Sequence, residues 1–575
     1  MQRNCDFMEY SILADSYEKL ESISSKLEKT HILADLFLKT PSDDLPKVVL
    51  LVVGRVFPVY SDYELGIATQ MMIKAISKAT GFSSEDVEER FKKTGDLGLT
   101  AEGCIKSRKQ AILFKRKLTV NAVFENLQKL AYIAGAGSQD RKLNLIAELL
   151  VSAQPKEARY VVRTVLQELR VGVAEGIIRD AIIEAFLYKK EMSKEEENEM
   201  IAIVEYACNV LSDFGEVARI AKKNGTNGLK KVRVQLGKPI QVMLGEKAES
   251  IESVIKDFGK VAVEYKYDGV RCQIQKKNDK VWVYTRKLED VTKQFPDIVE
   301  FCKKGLKSNE CIVEGEALGI DTKTGLPLPF QMLSQRIHRK YDIEKMVKKI
   351  PVQIHLFDVI YLEGKTLLDK PFKERRKILK SIVKPIPKKF ELAKQLVTDD
   401  VKKAEAFYQE ALNAKQEGVF LKVLDSSYVF GRHVGGWYKI KPIMETLDLV
   451  IVGATLGEGS RAKWLSSYVL ACRDPDNGKF LPCGMMGTGL TEEQFQLMTD
   501  TLKELIIEEK GREVKLRPKI VVEVAYQEIQ KSPNYESGLA LRFPRLIRIR
   551  EDKGLDEVDT IERVNELFKS QGRSG

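Results

Sequence analysis

The stretch Val261-Ala262-Val263-Glu264-Tyr265-Lys266-Tyr267-Asp268-Gly269-Val270-Arg271-Cys272 constrains this chain more than any other. An apolar run feeding into charged alternation, then a glycine and a second alternation, specifies two strands joined by a sharp turn. Strand side chains repeat every two residues, so Glu264, Lys266 and Asp268 share one face and Val263, Tyr265 and Tyr267 the other. Arg271 emerges on the side of Lys266 as the second strand, through Val270, Cys272 and Ile274, begins. One face is therefore chemical, and a phosphate suits a cleft lined this way. An ammonium group is a poor nucleophile at neutral pH unless desolvation or neighbouring cations lower its pKa, so its surroundings must activate it. By itself the same pattern also describes a surface strand with a Glu-Lys-Asp ion-pair ladder, and that alternative stays open here.

The chain around it has 575 residues, too many for one core and enough for three or four domains. Its 43% hydrophobic and 31% charged residues are globular proportions, and no apolar run reaches the roughly 18 residues of a membrane span. No apolar segment follows Met1 to Asp6, so no secretion signal is expected and the expected location is cytoplasmic. Eight cysteines without a Cys-x-x-Cys pair disfavour a zinc ribbon or a disulfide framework and predict reduced core thiols. With four histidines in the chain, an expected metal is hard and oxygen-bound, magnesium first. The net charge of +11 fits a polyanionic partner.

Residues 1–222 show apolar spacing of three and four and predict a helical domain. In the helix expected from Ala158 to Leu169, Val161, Val162, Val165, Leu166 and Leu169 form the buried stripe, with Arg159 and Arg163 on another face. Arg170 follows at its end, where arginines flanking a helix terminus can hold a backbone phosphate or simply be solvated. The polar stretch Lys222 to Gly228 predicts a turn or linker and a domain boundary. Strand patterns then alternate with shorter helices over 223–443, at 281–286, 311–316, 352–361 and 418–422, predicting an α+β domain that holds the lysine. Strands at 447–454, 467–472 and 520–526 predict a small β-barrel domain over 444–575.

Several strand ends of the middle domain deliver groups a nucleotide pocket needs: Arg286, Glu316, Glu417, and the lysine pair Lys439 and Lys441. Phe357 lies on the opposite face from Val352, Ile354 and Leu356, either as a ring for a base to stack on or as part of a second core face. The ordered set Glu264 to Arg271, Tyr284-Thr285-Arg286, Glu314-Gly315-Glu316, Phe357-Asp358, Glu417 to Lys422 and Trp437 to Pro442 resembles the nucleotidyltransferase motifs of ATP-dependent DNA ligases and of messenger-RNA capping enzymes. The segment Leu541-Arg542-Phe543-Pro544-Arg545-Leu546-Ile547-Arg548 through Lys553 is similar to the last motif of the archaeal and eukaryotic replicative ligases. Ala136 to Gln139 and Leu169 to Glu175 resemble parts of their helical DNA-binding domain.

The resemblance implies three domains, an all-α DNA-binding domain, an α+β adenylation domain and an OB-fold β-barrel, and a monomer that seals nicked duplex DNA in replication, repair and recombination. It implies Lys266 as the residue that takes AMP from ATP, with Glu264, Arg271, Arg286, Phe357, Lys439 and Lys441 on the nucleotide and Glu316 and Glu417 on magnesium, or manganese in its place. Arg542, Arg545, Arg548 and Lys553 would orient pyrophosphate, and Arg170 would meet DNA. Two departures stand out. The family arginine six residues before Lys439 is His433 here, with Arg432 beside it as substitute, and the usual Lys-Pro-Met-Leu is Gln241-Val242-Met243-Leu244. Gln110, Ile112, Leu113 and Phe114, flanked by basic residues, resemble peptides that dock on sliding clamps, although an ordinary helix or loop with one buried Phe has the same pattern. An RNA ligase or capping enzyme is the nearest alternative, but those usually lack so long a helical domain and the Arg-Phe-Pro-Arg form of the last motif. A non-catalytic nucleic-acid-binding protein is disfavoured by the joint presence of Lys266, Glu316, Glu417 and Lys439. An NAD-dependent ligase is disfavoured by the lack of a four-cysteine zinc site.

Overall fold

The computed structural model describes residues 8–571 except 62, 109–116, 190, 329, 338, 340, 432–434, 443–444, 458–463 and 489. The chain forms two compact units, Met1–Ala404 with Phe420–Lys439, and Glu405–Val419 with Ile440–Gly575.

The first unit begins with twelve helices among the described residues, from Tyr10–Ser22 to Phe214–Leu229. Side chains of Ser25, Ser83, Asp96, Thr119, Ser193 and Asp213 accept backbone N–H bonds at helix starts, satisfying donors that have no partner within the helix. One apolar core runs through them, including Leu13, Tyr17, Phe37, Ile73, Leu127 and Val161. The helix expected over 158–169 is Pro155–Val165, and its buried set includes Arg163, which was expected on a different face. The reason is pairing. The Arg163 guanidinium is 3% exposed and bonds Glu21 at 2.9 and 3.0 Å and Asp96 at 3.1 Å, so the charge is buried with its counter-ions. The linker expected at 222–228 is instead a kink at Gly225 (φ 58°, ψ −157°) inside Phe214–Leu229.

Two sheets follow. Their strands are β1 (Glu246–Lys247), β2 (Val261–Lys266), β3 (Val270–Lys277), β4 (Lys280–Thr285), β5 (Glu310–Gly319), β6 (Val352–Leu362), β7 (Lys365–Thr366), β8 (Phe390–Leu392), β9 (Gln395–Thr398), β10 (Gly418–Val423) and β11 (Trp437–Ile440). The first sheet has the order β1-β11-β10-β2-β9, and the second β4-β3-β5-β6-β7 with β8 on β6. The strands β2 and β3, adjacent in sequence, thus belong to different sheets rather than to one hairpin. A methyl group at Gly269, in the crossing between them, would overlap the Ala317 carbonyl oxygen of β5; only glycine lets the crossing press that closely. The surface-ladder reading of β2 is overturned, since Val261 through Tyr265 are all buried. The outer face of the second sheet packs Ile274, Val313, Ile354 and Leu356 against the helices Pro296–Gly305 and Phe372–Ile382.

The second unit contains β12 (Leu447–Leu456), β13 (Leu465–Arg473), β14 (Phe480–Met486), β15 (Ile506–Lys510), β16 (Glu513–Leu516), β17 (Val521–Ala525), β18 (Glu528–Lys531), β19 (Leu539–Arg542) and β20 (Arg545–Ile549). The strand β12, bulged after Ile451, pairs with β13 and β17. β13 pairs with β14 and β17 with β20, and a parallel bridge from Thr488 to Arg545 closes the ring. This is the barrel expected from the strand pattern. Its core includes Leu449, Tyr468, Leu470 and Val522, with Phe495 and Leu567 contributed by flanking helices. The seven described cysteines are buried and free, and no helix among the described residues is long and apolar enough to cross a membrane.

Candidate active site

Lys266 is the last residue of β2, half-buried, with its Nζ 5.4 Å from the ring centre of Phe420 on β10. Glu264 shares its face, as the period of two requires, but is 2% exposed and engaged. Its Oε2 lies 2.7 Å from Nζ of Lys422, itself 2% exposed, and its Oε1 accepts a 2.8 Å bond from Gln395 Nε2. Glu264, expected on the nucleotide, is held in a buried pair with Lys422. Lys422 was not foreseen as a site residue. Its ammonium lies 4.0 Å from the ring centre of Trp437, 4.5 Å from Phe357 and 4.8 Å from Phe372. Burial holds its pKa below the ordinary lysine value against the opposing pull of Glu264. A lysine at a strand end was legible, but its partner depended on β10 lying beside β2.

Arg271 opens β3. It donates to the Met243 carbonyl at 2.6 Å and to Glu314 Oε2 at 2.9 Å, and its guanidinium lies over Phe357 and Trp437 at 5.4 and 5.7 Å. Tyr428 donates to the same Glu314 oxygen and accepts the Met243 N–H, both at 2.9 Å. The variant segment Gln241 to Leu244 therefore serves Arg271 through the backbone of Met243, which a change of flanking side chains leaves intact. Phe357 is half-buried, packs beside Ile240 and Met243 and meets Trp437 edge-on at 5.9 Å. Asp358 is no surface charge; it is fully buried and bonds Arg375 at 2.9 and 3.0 Å.

Glu316 is half-buried on β5, in register with Arg271 on β3 and His355 on β6. Lys439 on β11 donates to the Gly245 carbonyl at 3.0 Å, and Arg286 is exposed just after β4. Strands of both sheets thus bring Lys266, Lys439, Arg271, Glu316 and Phe357 into one region, tied together by Lys422 and Trp437 against Phe357 and Arg271. Arg271 Nε and Trp437 Nε1 are buried donors with no hydrogen-bond partner among the described residues. Buried donors beside a half-buried ring suit a flat, polar, anionic ligand such as a nucleotide. An open cleft of about 470 Å³ lined by Leu211, Asn224, Lys231 and Arg233 shares no residue with this set.

In the second unit, Glu417 pairs with Lys441 and accepts from Gln527 at 3.3 Å. Arg542 bonds Glu528 at 3.0 Å, Arg548 bonds Glu523 at 2.7 Å and Lys553 bonds Asp448 at 2.7 Å, while Arg545 is exposed. In the helical part, Arg170 (φ 59°) pairs with Asp96 at 3.2 Å and Glu168 at 2.8 Å. Arg432, His433, Gln110, Ile112, Leu113 and Phe114 lie outside the described residues. No group of three or more metal-ligating side chains occurs among the described residues. Half-buried Glu316 and the Glu417 carboxylate are hard oxygen donors of the kind a divalent cation takes.

Residues 242–441 match the family described as ATP dependent DNA ligase domain, residues 9–183 the DNA ligase N terminus and residues 461–553 the ATP dependent DNA ligase C terminal region. The chain is 48% identical to the DNA ligase of Nanoarchaeum equitans, over 98% of this chain and 99% of that protein. It is 46% identical to the DNA ligase of Thermococcus onnurineus and 44% identical to that of Archaeoglobus fulgidus, each over 98% of this chain and 99% of the relative. The solved structure of Pmar-Lig_PreS3 superposes with a TM-score of 0.57 at 16% identity, over 94% of this chain and 99% of that one, a likeness of fold.

Proposed function

The chain belongs to the ATP-dependent DNA ligases, enzymes that seal nicks in DNA with ATP and a divalent metal, and from that premise we propose that Lys266 is the residue that carries AMP. The observation behind this assignment is the convergence of Lys266 and Lys439 from one sheet with Arg271, Glu316 and Phe357 from the other. Lys266 Nζ, once deprotonated, attacks the α-phosphorus of ATP. An N–P bond forms, the bond to the bridging oxygen breaks and pyrophosphate leaves. A 5′-phosphate oxygen of the nick then attacks the same phosphorus, and the lysine leaves. The 3′-hydroxyl attacks the adenylated 5′-phosphate, AMP departs and the strand is continuous.

Phe357 is proposed to stack on the adenine, with Arg271 and Arg286 on the ribose and phosphates and Lys439 and Lys441 on the charge that develops at the α-phosphate. Arg432 is proposed to fill the position of the missing family arginine. Glu264 is proposed to reach the nucleotide through the wall it builds with Lys422. Glu316 and Glu417 are each proposed as carboxylates for the divalent ion, magnesium with manganese as substitute, which offsets phosphate charge when bound. Arg542, Arg545, Arg548 and Lys553 are proposed to orient pyrophosphate, and Arg170 to meet the DNA backbone. Domain limits of 1–222, 223–443 and 444–575, a monomeric state and a cytoplasmic location with the DNA complete the proposal. With magnesium and α-labelled ATP, label should attach covalently to the wild type and not to Lys266→Ala, and leave when nicked DNA is added. Failure of the wild type to take up label would refute the assignment.

Gln110, Ile112, Leu113 and Phe114 are proposed to dock on a sliding clamp, a reading supported by their glutamine-aliphatic-aromatic order. Replacing Ile112 and Phe114 with alanine should weaken clamp binding and leave clamp-free sealing intact. Unchanged clamp affinity would end that proposal.

A further inference from the structure

The chain leaves the first sheet at Lys266 and enters the second at Val270, so three residues carry it across the site. The first of the three, Tyr267, is buried and stacks flat on His355 of β6, with ring centres 4.2 Å apart and planes 7° from parallel. At its far end the Tyr267 hydroxyl accepts the backbone N–H of Lys394 at 3.0 Å, just before β9. His355 is itself buried, in register with Glu316 across the ladder and two residues before Phe357 on the same strand. Its Nδ1 is buried with no hydrogen-bond partner among the described residues, so the contact this ring makes is the stack. Stacked rings at this offset attract, and both fill space in a close-packed wall.

We propose that His355 is a positioning residue for the nucleophile. By stacking on Tyr267 it ties the end of β2 to β6, and so sets where the Lys266 amine stands relative to Glu316 and Phe357 on the opposite sheet. The inference rests on the assignment of Lys266 as the AMP-carrying residue. A displacement of about 1 Å in a reacting group can cost on the order of 100-fold in rate, so a single unsupported ring beside the nucleophile is enough to matter.

The test separates the step that uses the lysine as nucleophile from one that does not. The variants His355→Leu, which keeps volume but not the stack, and His355→Phe, which keeps the stack, are compared with wild type in the full-length protein. His355→Leu should form lysyl-AMP roughly 10- to 100-fold more slowly, with binding of a non-cleavable ATP analogue unchanged. It should still seal a nick prepared with the 5′-adenylate already in place at nearly the wild-type rate, because that step needs no attack by Lys266. His355→Phe should restore lysyl-AMP formation. Wild-type loading by His355→Leu, equal loss of loading and of pre-adenylated sealing, or failure of His355→Phe to restore loading would each overturn the proposal. Loss of label in the wild type itself would instead overturn the assignment of Lys266.

Discussion

At the scale of single residues, the buried pair Glu264 and Lys422 shows how little of a site's charge is offered to substrate. Each is 2% exposed, and each neutralises the other beneath Phe357 and Trp437. Lys422→Met leaves Glu264 buried with Arg376, 3.7 Å away, as its remaining cation, so it should destabilise the fold by up to about 3–5 kcal/mol. The double variant Glu264→Leu with Lys422→Met should recover much of that loss in denaturant unfolding. It should still load AMP poorly, because the wall behind the nucleotide has changed. A double variant no more stable than the single one would show that the pair is not the source of the loss. Arg271 is a contrasting case. Its partners, Glu314 and the Met243 carbonyl, hold the guanidinium over two rings, so the residue is oriented before any ligand arrives.

At the scale of elements, the helix Pro155–Val165 is joined to its neighbours by charge as much as by apolar packing. Arg163 bonds Glu21 from the first helix and Asp96, the N-cap of helix Leu97–Lys106. Burial pushes both carboxyls up, but the Arg163 hydrogen bonds and charge outweigh it, and both pKa values lie below the ordinary range. A carboxylate depressed in the folded state stabilises it fully above the unfolded pKa, near about 4, and that contribution fades as pH falls through the folded value. Unfolding of the helical part should therefore be acid-sensitive below about pH 4. Asp96→Asn should be less stable at neutral pH and show a shallower decline on acidification. An unchanged pH slope would assign the acid sensitivity elsewhere. The same network bears on Arg170, whose guanidinium shares Asp96, so the variant also tests whether that anchor affects DNA affinity.

At the scale of the whole molecule, the net charge of +11 is spread over a chain whose family acts on DNA. Phosphate contacts release counterions, so affinity for nicked duplex should fall linearly with log salt, by on the order of 1,000-fold from about 50 to 200 mM if some six phosphates are met. Lysyl-AMP formation without DNA should change far less over that range, and a flat binding curve would argue against phosphate tracking. The linear order of motifs was enough to read helical, α+β and barrel parts in sequence and the lysine on a strand, because local periodicity and turn chemistry are properties of neighbouring residues. Which charges are spent inside the fold was not readable. Glu264 with Lys422, Asp358 with Arg375 and Arg163 with Asp96 are partners separated by 17 to 158 positions, and period-two or period-3.6 patterns say nothing about which strand or helix lies alongside. Nor could the turn at Gly269 reveal that β2 and β3 part into different sheets. That separation, and with it the stack of Tyr267 on His355, came from long-range packing, where steric fit and the pairing of buried charges select one arrangement among the many that local pattern permits.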